Sequence, residues 1–108
     1  MKVEELKKKE SYSFECNMSE EYKDYRNHDE WGCAFAWLED KDIGVEYNFC
    51  FDCGNSCCAI YKAITNSDGY LETDYSEFVH YDIDFDNDNW REEFENAMCK
   101  ALIEFHEV

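Results

Sequence analysis

In several segments between residues 11 and 85 apolar side chains return at every second position, and from residue 90 they return at intervals of three and four. A period of two sends alternate side chains to opposite faces of a strand, whereas a period near 3.6 draws one stripe along a helix. The chain therefore predicts several strands followed by one long helix. In SYSFECNM, residues 11 to 18, Tyr12, Phe14, Cys16 and Met18 share one face and Ser11, Ser13, Glu15 and Asn17 the other. This is the pattern of a half-buried strand, after which Ser19 is placed to cap a short acidic helix or turn over residues 19 to 27. In WGCAFAWL, residues 31 to 38, large Trp31, Cys33, Phe35 and Trp37 alternate with small Gly32, Ala34 and Ala36. Both faces of that strand can be covered, and a helix is expected on the small one.

Beyond the EDKD turn, Val45, Tyr47, Phe49 and Phe51 share a face of the next strand, with Glu46, Asn48 and Cys50 opposite. CAIYKAIT, residues 58 to 65, predicts another strand. TNSDG supplies a turn, and residues 70 to 85 predict a last strand with a break near Ser76. Asn87 to Asn89 then offer caps, with Asn89 and Glu92 at capping-box spacing, to a helix from about Trp90 to His106. Trp90, Phe94, Ala97, Met98, Ala101 and Phe105 fall on a single stripe of it. Strands joined by short turns and closed by a long helix make an α+β fold, a mainly antiparallel sheet of four to five strands with the helix packed on it. Proline is absent and the glycines, at 32, 44, 54 and 69, are scattered, so residues 1 to 108 read as a single domain.

The charge is lopsided: 27 acidic residues stand against ten lysines and arginines, a net −17. A chain that is 44% apolar and 18% aromatic nevertheless carries enough apolar surface to fold. Such a field repels nucleic acid and anionic membranes and speeds encounter with a basic surface. The expected partner is a basic protein, with neither direct nucleic-acid binding nor a membrane. MKVEELKKKE has a basic start with no apolar run behind it, which predicts neither export signal nor anchor, and an odd cysteine count adds a home in a reducing cytosol. There the seven cysteines are expected to be free thiols or metal ligands.

Four of those cysteines, Cys50, Cys53, Cys57 and Cys58, fall within FCFDCGNSCCAIY. Cys50 and Cys53 have CxxC spacing with Gly54 behind, which lets a tight turn bring two thiolates onto one Zn2+. Cys57 and Cys58 are adjacent and in a regular strand point to opposite faces, so both reach one ion only if they still belong to the turn. Cys33, Cys16 or His80 are the replacements. The alternative is that these cysteines fill the core as small hydrophobes, with a disulfide or redox role as a third reading. A closed all-cysteine site would be a structural staple for a small core.

HYDIDFDNDN, residues 80 to 89, sets Asp82, Asp84, Asp86 and Asp88 at every second position. In a strand they would lie about 6.6 to 7 Å apart, near the spacing of successive phosphates on a nucleic-acid strand. With Glu92 and Glu93 they form a candidate partner-binding surface that mimics DNA. The plain reading is a solvated strand face opposite Val79, Tyr81, Ile83 and Phe85. Asp84, Asp86, Asp88 and Glu95 also fit EF-hand positions, but Asn89 stands where glycine belongs and a strand where the entering helix should be.

No Ser/His/Asp arrangement, phosphate loop or HExxH helix occurs, and no catalysis is expected. Small size, heavy acid, an α+β pattern and the cluster CFDCGNSCC together give a chain that resembles the anti-CRISPR proteins of phages, above all inhibitors of type II RNA-guided nucleases. These inhibitors share no common motif, so no interface residue carries over. The resemblance implies a protein in the cytoplasm of a bacterial host that binds a large, positively charged nucleic-acid-processing protein, a CRISPR nuclease, and prevents it from loading or recognising target DNA. An immunity protein that neutralises a basic toxin nuclease, or a zinc-stapled adaptor, fits the same residues.

Overall fold

The computed structural model describes residues 1–16, 32–49, 59–81 and 87–108. Helix α1 (Val3–Lys7) leads into β1 (Tyr12–Cys16), followed by β2 (Gly32–Leu38), β3 (Ile43–Phe49), β4 (Ala59–Thr65), β5 (Leu71–His80) and α2 (Trp90–His106). The strands form one sheet in the order β1-β2-β3-β4-β5, every neighbour antiparallel. This is the α+β arrangement that the change of period predicts.

The register settles which side chains share a face. Phe14, Ala36 and Val45 lie in one row across the sheet, and Cys16, Ala34, Tyr47, Ile60 and Val79 in the next. Helix α2 lies over this face, where Ala34, Ala36, Val45, Tyr47 and Ile60 are fully buried. The alanines of β2 leave room for the helix to approach, as the large-small alternation predicts. Phe94 fills the centre, edge-on to Tyr47 at 4.8 Å and to Phe14 at 6.1 Å between ring centroids. Each such ring contributes roughly 1.5 to 3 kcal/mol by leaving water. Helix α1 closes one flank with Leu6, which is fully buried.

The β2–β3 connection is a single 3-10 turn, Glu39–Lys41, ended by Asp42 at φ 55°. Aspartate tolerates that left-handed backbone better than most residues. Between β4 and β5, Asn66 Oδ1 accepts from the backbone N–H of Asp68 (2.9 Å) and of Tyr70 (3.1 Å), while Gly69 takes φ 84°. Strand β5 is interrupted as the sequence suggests. Tyr61 pairs with Phe78 but Lys62 pairs with Asp74, so residues 75 to 77 bulge out. Asp74 Oδ1 holds the bulge by accepting from the Ser76 N–H at 3.0 Å and its hydroxyl at 2.5 Å.

Two local expectations need correction. Asn89 occupies the N-cap of α2 but makes no capping hydrogen bond, because its backbone (φ −94°, ψ 17°) is not the extended conformation from which a side chain reaches back. Asn87 takes the role. Its Oδ1 accepts from the Asn89 N–H at 3.1 Å, its Nδ2 donates to Glu93 at 2.8 Å and its carbonyl accepts from the Trp90 N–H at 3.1 Å. The buried stripe of α2 is also wider than expected: it includes Cys99 and Leu102, while Phe105 is only half-buried. Among the described residues no helix is long and apolar enough to cross a membrane.

Candidate partner-binding surfaces

Of the predicted acidic face, Asp88, Glu92 and Glu93 are described, and they gather at the N-terminus of α2. Asp88 and Glu92 are exposed; Glu93 is half-buried and accepts from Asn87. Carboxylates here also complement the positive end of the helix dipole, so they stabilise α2 whatever else they do. Asp82, Asp84 and Asp86 lie outside the described residues. Tyr81, just before them, is in no strand. Glu92 and Glu93 border a groove of about 590 Å³ between α1 and α2, whose other walls include Glu4, Lys7, Tyr81 and Lys100.

Beside the groove, the two helices and β1 are joined by a polar network. Glu95 accepts from the Tyr12 hydroxyl at 3.0 Å and lies 3.6 Å from Lys7 Nζ, which also donates to Asn96 at 2.5 Å. The Tyr12 hydroxyl lies 3.2 Å from Cys99 Sγ as well. Burial above all, then Cys99 and Glu95, pushes the Tyr12 hydroxyl far above its ordinary pKa. Burial raises the Cys99 thiol too, with the Tyr12 hydrogen bond opposing. A thiol held protonated in this way is a poor nucleophile. Glu95, the twelfth position of the EF-hand spacing, is already engaged by Tyr12 and Lys7.

The edge strand β5 carries a second acidic group. Glu72, Asp74 and Glu77 stand around Lys62 on the helix side of the sheet, with Glu77 3.5 Å from the Lys62 ammonium, in a hollow of about 230 Å³. Asp74 is held below the ordinary carboxylate range by its Ser76 side-chain and backbone hydrogen bonds and by Lys62.

The opposite face of the sheet is unexpectedly aromatic. One row across all five strands reads Glu15, Phe35, Glu46, Tyr61, Phe78. Tyr61 meets Tyr75 edge to face at 5.0 Å and Phe78 at 5.9 Å, and Phe78 meets His80 at 5.2 Å. The bulge supplies Tyr75 to this face. Tyr75 is 62% and Phe78 50% exposed. Thr73, in the neighbouring row, donates its hydroxyl to Glu46 and so draws that carboxylate across β4 toward β5.

The predicted zinc ligands Cys50, Cys53, Cys57 and Cys58 lie outside the described residues. Asn48 pairs with Ala59, so the strands on either side of that segment, β3 and β4, are neighbours in the sheet. Of the replacement ligands, Cys33 sits opposite Asn48 and shares a row with Ala59 and His80, at that same end of the sheet. Cys16 and His80 are on opposite edge strands, four strand spacings or about 19 Å apart, so they cannot share an ion. Among the described residues no group of three His, Cys, Asp or Glu side chains is placed to hold a metal.

No protein-family model, curated protein or solved structure matches the chain.

Proposed function

We propose that this chain is a non-catalytic acidic protein that binds a basic nucleic-acid-processing protein, and, following its resemblance to the anti-CRISPR inhibitors, that the partner is a type II RNA-guided nuclease kept from its target DNA. The reading is supported above all by where the acid stands. Asp88 and Glu92 at the head of α2 and Glu72 and Asp74 on the edge strand are exposed. Their density, on a chain of net charge −17, exceeds what solubility requires. An anionic surface of this kind accelerates docking to a cationic one and competes with the phosphates that surface was built for. In this proposal Asp82, Asp84 and Asp86 act together with Asp88, Glu92 and Glu93, and a zinc ion on the cysteines of residues 50 to 58 staples the fold without taking part in binding.

The decisive experiment adds the purified chain to a type II nuclease loaded with guide RNA and measures DNA binding and cleavage. Stoichiometric loss of DNA binding, weakening as salt rises, is expected. Charge reversal at Asp82, Asp84 and Asp86 together with Glu92 and Glu93 should abolish it. If that variant binds every cationic partner as the unmodified chain does, the proposal fails.

A further inference from the structure

An antiparallel sheet covered by a helix on one side ordinarily turns a polar face to water on the other. This one turns a row in which carboxylates and rings alternate: Glu15, Phe35, Glu46, Tyr61, Phe78. Neighbouring strands stand about 4.8 Å apart, so Glu15 and Glu46 occupy the positions on either side of Phe35, the Glu46 carboxylate reaching across β4 to the Thr73 hydroxyl, and the next two positions are rings. Tyr75, pushed out by the bulge, widens the ring cluster at its exposed end. No lysine or arginine lies on this face among the described strand residues.

The row's chemistry selects its occupant. Nucleic acid, an anionic membrane and a second copy of a chain of net charge −17 are all repelled by it. A neutral apolar partner would bury Glu15 and Glu46 with no positive charge from its own side to compensate. A guanidinium satisfies both elements at once, since it stacks on a ring face while its fork of N–H groups meets a carboxylate; an ammonium on a flexible stem gains less from either. We infer that the outer face of the sheet, along Glu15, Phe35, Glu46, Tyr61 and Phe78, docks an arginine-rich surface of a protein partner. The inference rests on the reading of a cationic partner given above and deepens it by naming the face that reads the partner and the side chain it prefers. In this division of labour the α2 acids steer the encounter, and the sheet supplies orientation.

The test uses the intact chain with octaarginine and octalysine peptides at about 0.15 M salt, followed by amide chemical shifts. Octaarginine should bind about tenfold more tightly, with shifts centred on Phe35, Tyr61 and Phe78. The double variant Tyr75→Ser, Phe78→Ser should lose that preference while its thermal unfolding stays close to that of the unmodified chain, and Glu15→Gln should weaken octaarginine more than octalysine. If neither peptide binds even at low salt, the cationic-partner reading fails and this inference with it. Equal binding of both peptides, unchanged by the double variant, would overturn the inference alone and leave docking to the acids of α2. A dimer in sedimentation that Phe78→Ser abolishes would give the face to a second copy, and would also overturn it.

Discussion

His106, the last residue of α2, places Nε2 2.9 Å from the carbonyl oxygen of Gly44 on β3. The helix end is thereby tied to the central strand at a residue that is itself hemmed in. A Cβ added at Gly44 would come 2.6 Å from the Ala36 carbonyl oxygen and 2.9 Å from Leu71 Cδ2. The leucine can swing away, but the backbone oxygen of the paired strand cannot. Gly44→Ala should therefore destabilise the fold by about 1 to 3 kcal/mol in urea unfolding, against about 1 kcal/mol for His106→Ala. Unchanged stability in Gly44→Ala would show that β2 and β3 have slack at this crossing.

The cap of α2 gives a sharper comparison. Asn87→Ala removes a side chain that serves both the Asn89 N–H and Glu93, and should lower stability by about 1 kcal/mol. Asn89→Ala, at the position that sequence spacing favours, should change stability by no more than a few tenths of a kcal/mol, roughly the scale of a neutral surface substitution. Reversed magnitudes would restore the capping box.

Alkaline titration should destabilise the protein. The Cys99 thiol and the Tyr12 and Tyr81 hydroxyls all have pKa values raised in the folded state, chiefly by burial. Above the unfolded-state values, near about 8.5 for a thiol and 10 for a tyrosine, the unfolded chain releases protons that the folded one keeps. Stability from these groups is thus complete below that range and declines as pH climbs toward the folded values. Thermal unfolding across this range should show the decline, smaller in Tyr12→Phe. Asp74 acts in the other direction: its lowered value supports the fold above the ordinary carboxylate range and is lost as pH falls through it.

Metal content tests the proposed staple. Protein purified without chelator should carry about one zinc per chain, and Cys53→Ser should lose it together with a fall in melting temperature. Zinc near zero in the unmodified protein would return the cluster to core packing.

Strands and the long helix were legible wherever one segment carries its own period. The alternation in residues 31 to 38 gave both the strand and the face on which α2 would lie, because Ala34 and Ala36 stand between bulky neighbours. The charged run of residues 1 to 10 concealed α1, whose Leu6 is fully buried; Val3 and Leu6, three apart, were the faint signal. Cys99 and Leu102 were missed because a single stripe was drawn on α2, whereas the helix also meets α1 and β1, where Tyr12 touches Cys99. Of the aromatic row only Phe35 was legible, on the bulky face of residues 31 to 38. Its members come from five strands, and register between strands is set by turns and bulges that no single strand's pattern encodes.

The bulge at residues 75 to 77 divides the edge strand into two paired runs, Leu71–Asp74 and Phe78–His80. Amyloid growth needs a straight, uncharged segment of about six or seven residues on which an identical copy can stack. Neither run is that long, and the first carries two carboxylates. This edge can thus leave rings exposed without offering a template for fibrils.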